Sequence, residues 1–166
     1  MVNLNGDWNA LHKSNPPIDE VAYQLPRGGW IYVLETSSDY ERFKLGKANE
    51  SGNGPFTRYS NLRTGDPYLT IHCAFFIPSR LGSAQKVESM LHEGISDLRI
   101  YDHHGSPTEW FQKRPGWGVE YICAKLARFA QQRDVRYRCD LPPDLDRVVF
   151  IYESDLRRFF GKSDSE

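Results

Sequence analysis

The chain predicts an α+β fold: a small three-stranded antiparallel sheet flanked by helices, with an N-terminal arm before it and a helical C-terminal extension after it. Two observations carry this. First, two β-prone runs at 30–35 (WIYVLE) and 42–48 are separated only by polar Thr36-Ser37-Ser38-Asp39, as in a hairpin, and a third run rich in Thr, Ile and Phe follows at 69–77. Second, apolar residues switch to helical spacing at 83–98 and 119–133, where Val119, Ile122, Cys123, Leu126 and Phe129 share one face. The division that follows is an arm at 1–28, a core at 29–112 and a basic, partly helical extension at 113–166.

The remaining elements fit between these. The arm carries Asn15-Pro16-Pro17 and Pro26-Arg27-Gly28-Gly29, with Trp8 and Leu11 as candidate anchors onto the body. Residues 50–55 (ESGNGP) form a loop. A short helix is expected over 56–64, stopped by Gly65 and Pro67. Residues 147–152 suit a late edge strand and 155–160 a closing helical turn.

A chain of 166 residues, 39% hydrophobic and 26% charged, has the composition of one globular domain with a proper core. Its longest apolar run, 73–77, is far too short to cross a bilayer, so no membrane partner is expected. The first residues lack the basic and apolar regions of a secretory signal. Cys73, Cys123 and Cys139 are odd in number and form no CxxC pair, which argues against a disulfide framework or structural zinc site. A reducing, cytoplasmic setting is expected. Net charge is −1, yet residues 113–138 hold seven bases against two acids, a local +5. Local density governs phosphate binding, because salt screens charges more than about 10 Å apart. Lys125 and Arg128 share a helix face with Gln132, which is either a solvated face or a track for phosphates.

Tyr32 and Lys44 sit in the middle of the first two strands, where Val or Leu would pack better. With the turn centred near Ser38, Lys44 faces Tyr32 and Gly46 faces Trp30. Side chains alternate with period two, so this register puts Tyr32 and Lys44 on one sheet face. An ammonium beside a phenol favours the phenolate and suits the tyrosine to act as a base. Gly46 would leave room there for a ligand backbone. The alternative is a surface cross-strand pair in which Tyr32 covers the lysine stem.

Trp30-Ile31-Tyr32 and Lys44-Leu45-Gly46 open a series of motifs in fixed order. Arg58 begins Arg-Tyr-Ser-Asn-Leu-Arg-Thr-Gly-Asp-Pro, the third strand follows, Glu88 lies in Ala84-Gln-Lys-Val-Glu-Ser-Met-Leu-His92, and Glu109-Trp110-Phe111 closes the series. Together they resemble the GIY-YIG nuclease superfamily, in its phage and bacterial branch with lysine in the second motif. The resemblance covers roughly residues 29–112 and makes the expected fold GIY-YIG-like. Trp30 stands where the name-giving glycine usually lies. The closing asparagine of the wider superfamily is absent, with Glu109 in that region.

The resemblance implies metal-dependent hydrolysis of DNA phosphodiesters, with one Mg²⁺ or Mn²⁺ per active site. Tyr32 would accept a proton from the attacking water, Lys44 would favour its phenolate, and Arg58 would grip non-bridging phosphate oxygens with its planar fork. Glu88 would hold the metal. Helical geometry sets Glu88 at the rim of an arc formed by Ala84, Val87, Leu91, Ile95 and Leu98, with His92 one turn on. A surface Glu88–His92 pair is the alternative there. His92, Glu109 and Tyr59 are candidate supports for the site; Lys47, Arg63, Lys125 and Arg128 are candidate DNA contacts. His72 reads as a sheet residue, and His103-His104 as a loop pair suited to DNA contact rather than zinc. Competing functional classes are a DNA-binding module that has lost catalysis and a protein-interaction domain on the same fold. A single site nicks one strand, so double-strand cutting implies a homodimer or sequential action.

Overall fold

The computed structural model describes residues 27–48, 62–136 and 147–152. The arm at 1–26, the loop at 50–55, most of the 56–64 helix and the turn at 155–160 lie outside these residues, and with them Trp8, Leu11, Arg58 and Tyr59. The three expected strands are present as β1 (Gly28–Thr36), β2 (Asp39–Ala48) and β3 (Leu69–Pro78). The sheet, however, has six antiparallel strands rather than three. A hairpin of β4 (Arg99–Tyr101) and β5 (Pro107–Phe111) extends it beyond β2, and β6 (Val149–Tyr152) extends it beyond β3. The order is β4-β5-β2-β1-β3-β6.

The added hairpin closes over the polar Asp102-His103-His104-Gly105-Ser106 segment. Asp102 Oδ1 accepts hydrogen bonds from the backbone N–H of His104 at 2.8 Å and of Ser106 at 2.9 Å. Gly105 takes φ 79°, a backbone angle that side chains disfavour. Its flanking strands are too short for alternation to register in the sequence.

Two helices are found among the described residues. α1 (Ala84–Gly94) begins at Ser83, whose side chain accepts from the Lys86 N–H at 3.2 Å, and ends earlier than expected, giving way to a 3₁₀ turn at Ser96–Leu98. α2 (Pro115–Ala130) starts before residue 119 because Pro115 presets the helical φ of the first turn. Both helices pack on one sheet face. There Ile31, Val33, Phe43, Leu45, Cys73, Phe75 and Ile77 meet Val87 and Leu91 of α1 and Val119, Ile122 and Leu126 of α2. The other face is equally buried, through Trp30, Tyr32, Leu34, Ile71, Ala74, Phe76, Val149 and Ile151. α2 and β6, both beyond residue 112, therefore belong to the same packed body as the hairpin.

β3 keeps Ile71 and Ala74 on one face by a bulge: Val33 pairs with Cys73 while Leu34 pairs with Ile71. At that bulge His72 Nδ1 meets Glu35 Oε2 at 3.3 Å. Gln132 was expected beside Lys125 and Arg128 on an open face. Instead its amide accepts from the Val148 N–H at 2.9 Å and donates to the Val148 carbonyl at 3.1 Å, tying the end of α2 to β6.

The hairpin register differs from expectation by two residues. Tyr32 lies opposite Gly46, Leu34 opposite Lys44 and Trp30 opposite Ala48. The turn itself is tight, pairing Thr36 with Asp39, and an irregularity between Leu34 and Thr36 shifts the pairing beyond it. A shift of two preserves parity, so Tyr32 and Lys44 still share a face, now as diagonal neighbours. An odd shift of β2 would take Phe43 and Leu45 off the helix-covered face and put Arg42 and Lys44 in their place. The even register is chosen by Gly46. A Cβ there would stand 2.5 Å from the Tyr32 ring. Gly46 thus houses the tyrosine ring and leaves no room for a ligand backbone. Gly46→Ala should destabilise the fold by about 1–3 kcal/mol, as overpacking does. The loss should shrink in a Tyr32→Leu background, measured by urea unfolding. An unchanged midpoint in Gly46→Ala would refute the close approach.

Candidate functional site

α1 lies across β1 and β2, and its inner surface carries Ala84, Val87 and Leu91 into the core. Glu88 follows Val87 on this inner edge and is 6% exposed, so the surface-pair alternative is ruled out. Its Oε1 is shielded from solvent and has no hydrogen-bond partner among the described residues. Burial pushes the Glu88 carboxyl above its ordinary value, and the negative charge of Glu109 pushes the same way. Lys47, Lys44 and Arg99 pull it back. One carboxylate and three cations thus act on a group whose Oε1 no described residue bonds. A buried charge without a bond is costly unless something else coordinates it.

Lys44 comes to this cluster from β2 and Glu109 from β5. Their charged atoms are 2.8 Å apart, a charge-assisted bond that ties Glu109 to Lys44. The Lys44 ammonium is therefore shared between Glu109 and its surroundings and is not devoted to Tyr32. Tyr32 itself is 1% exposed, its ring seated over Gly46.

His92, one turn after Glu88, joins α1 to β2. Its Nε2 lies 2.9 Å from the Leu45 carbonyl, which can only accept, so this nitrogen carries the proton. The ring also rests against Phe111 at 5.2 Å. Burial lowers the His92 pKa, while the bond to Leu45 opposes the shift; the imidazole is a neutral fastener that sets α1, and Glu88 with it, against the strand carrying Lys44.

Arg99 is the participant that the sequence reading missed. It stands opposite Phe111 on the unanticipated β4–β5 hairpin, its guanidinium 5.4 Å from the Phe111 ring centre. Two short runs flanking a Gly-containing polar turn were the available signal. Trp110 pairs with Lys44 across the strands and has Arg42 4.6 Å over its ring. Phe111 is buried in the core.

Of the candidate DNA contacts, Lys47 is half-buried in the Glu88 cluster, Arg63 is exposed just before the turn at Gly65, and Lys125 and Arg128 are exposed on α2. The His103 and His104 rings lie 3.8 Å apart, tilted by 43°, on the exposed hairpin tip. Among the described residues no group of three or more His, Cys, Asp or Glu side chains could hold a metal, so any ion at Glu88 would draw most of its shell from other sources. Cys73 and Cys123 are buried free thiols. No helix among the described residues is long and apolar enough to cross a membrane.

Residues 29–127 match the model of the T5orf172 domain, well over half of the chain. The chain belongs to the T5orf172 domain family. This family is phage-associated and related to nuclease-like folds of GIY-YIG type. No curated protein and no solved structure matches the chain. The T5orf172 match spans the hairpin, Glu88 and the Glu-Trp-Phe strand, and runs on through most of α2.

The raised Glu88 pKa has a thermodynamic sign. A carboxyl whose folded pKa exceeds its unfolded value contributes stability below the ordinary glutamate range, and that contribution is lost as pH rises through the folded value. In EDTA, Glu88→Gln should therefore melt about 2–4 °C above the wild type at neutral pH, a shift worth about 1 kcal/mol in a domain of this size. The advantage should fade as the pH is lowered past the glutamate range. A gain independent of pH, or none, would contradict the buried-charge account.

Proposed function

We propose that this T5orf172 protein is a metal-dependent DNA endonuclease that hydrolyses phosphodiester bonds by a GIY-YIG-type mechanism. The observation that carries the reading is Glu88: a buried carboxylate with one unpartnered oxygen, on a helix fastened to the strand that bears Lys44. Single-carboxylate sites suit Mg²⁺ or Mn²⁺, which keep much of their shell as water and substrate oxygen. A cation held by Glu88 would supply Lewis-acid stabilisation of the negative charge that develops at phosphorus and on the leaving 3′-oxygen.

The chain's own side chains supply the rest. Tyr32 takes the proton of the attacking water. Lys44, steered by Glu109, presents its ammonium to the phosphate side of the site. Arg58 grips the non-bridging oxygens, and Lys47 and Arg99 add positive potential where an anionic backbone must enter. Glu109 and His92 act as positioning residues, the first on Lys44 and the second on α1. Under this reading the substrate is DNA, the protein acts in the cytoplasm, and one copy cuts one strand.

A second reading has its own support. Tyr32 is 1% exposed, and a base must reach water; a ring that only fills the space over Gly46 would belong to a DNA-binding module without catalysis. Supercoiled plasmid with Mg²⁺ or Mn²⁺, with and without EDTA, separates the two. Nicking that EDTA abolishes is expected, and Glu88→Ala should remove it while DNA affinity largely persists. Cleavage by Glu88→Ala at the wild-type rate would end the metal assignment. Tyr32→Phe keeps the ring and should lose about 10²–10⁴-fold in rate, the scale of a positioned proton acceptor. Full activity in Tyr32→Phe would leave the tyrosine as packing alone.

A further inference from the structure

The outward side of α2 carries a stripe that the cleavage reading does not use. Lys113, just before the helix, is followed at intervals of four by Trp117, Tyr121 and Lys125, with Arg128 three residues further on. This spacing stacks side chains along one surface of a helix, away from the buried Val119, Ile122 and Leu126. Trp117 and Tyr121 lie nearly parallel, ring centres 5.6 Å apart and planes within 4°. Lys113 Nζ sits 5.5 Å from the Trp117 ring and Lys125 Nζ 5.9 Å from the Tyr121 ring. Tyr121 cannot drift, because its hydroxyl donates to the Leu91 carbonyl at 2.9 Å. Trp117 is 39% exposed, whereas Trp30 is 4%.

Charge sorts the possible occupants. Two acids on this side are engaged with arginines: Glu41 holds Arg114 at 3.0 Å and Glu120 holds Arg136 at 2.5 Å. Lys113, Lys125 and Arg128 form no ion pair with a described residue. The aromatics and Arg128 would suit a protein surface too, but two lysines and an arginine without a described acid favour an anionic partner. An aromatic pair on a convex helix gains nothing from a duplex, whose bases already stack on one another. Unpaired bases do offer their faces, and stacking on an aromatic platform is worth more than the exposed cation–π contact it displaces.

We infer that this face of α2 binds single-stranded DNA, with a base stacked on Trp117 and backbone phosphates on Lys113, Lys125 and Arg128. Tyr121 anchors the platform, so little ordering is needed on binding. Lys113, displaced from the indole by the incoming base, is free to meet a phosphate. The stripe shares no residue with the Glu88 cluster, and binding measured in EDTA succeeds or fails independently of cleavage.

The test compares a fluorescein-labelled thymidine oligonucleotide with a duplex of equal length, by anisotropy in EDTA. Trp117→Ala should bind the single strand roughly tenfold more weakly, the scale of one lost stack, and the duplex nearly as before. Trp117→Phe should bind well, yet lose the quenching of tryptophan emission that the single strand produces in the wild type. Lys113→Gln with Lys125→Gln should lower the salt slope for the single strand by about 1.4, two phosphate contacts at about 0.7 each. Wild-type single-strand affinity in Trp117→Ala would overturn the inference. So would equal losses for both substrates, which would reduce the face to a backbone track, or an absence of quenching in the wild type.

Discussion

Strand β1 has no solvent face, and the rest of the structure is arranged around that constraint. It runs between β2 and β3, with Ile31 and Val33 turned into the layer of helices and Trp30, Tyr32 and Leu34 into the opposite layer. A strand so enclosed normally reads as continuous Val, Ile and Leu. Tyr32 breaks that pattern, and the sheet accommodates it by placing a residue without a side chain directly opposite. Gly46 is therefore tied to Tyr32 by volume. Through the hairpin register, that pairing also decides where Lys44 emerges and how it reaches Glu109 on the next strand.

The second constraint on the fold is electrostatic. Glu88 is surrounded closely enough to lose water but is left with an oxygen that no described side chain satisfies. Lys44, Lys47 and Arg99 lower the cost of its charge, while burial and Glu109 raise it. Such an arrangement is poor for folding and useful for holding something charged, a conflict familiar at working sites. His92 resolves part of the difficulty mechanically: a neutral imidazole adds no further charge while fixing the helix to the strand.

Much of this was legible in the sequence, and the failures have physical causes. Parity survives any even slip, so the shared face of Tyr32 and Lys44 was readable even though the register was not. The apolar arc on α1 located Glu88 at a buried edge because helical periodicity is robust over three turns. The β4–β5 hairpin escaped because its strands are three and five residues long. Arg99 was lost with it. Gln132 misled for another reason: the helix expected to run to 133 ends at Ala130, so Gln132 lies beyond it, where its amide serves a neighbouring backbone instead of solvent. Only the tertiary arrangement reveals that Val148 is within its reach.

The Gln132 amide also bears on how copies of this protein meet. By giving one donor and one acceptor to Val148, it imitates a strand residue alongside the outermost strand. Arg136 bridges to Phe150, and the Phe150 N–H donates to the Val135 carbonyl at 3.0 Å, so the imitation continues along β6. At the opposite border, β4 is three residues long, too short to template a neighbour. Neither border invites a second molecule to lengthen the sheet. Under the proposed function, two copies on a duplex would therefore meet through surfaces other than these two described strand edges.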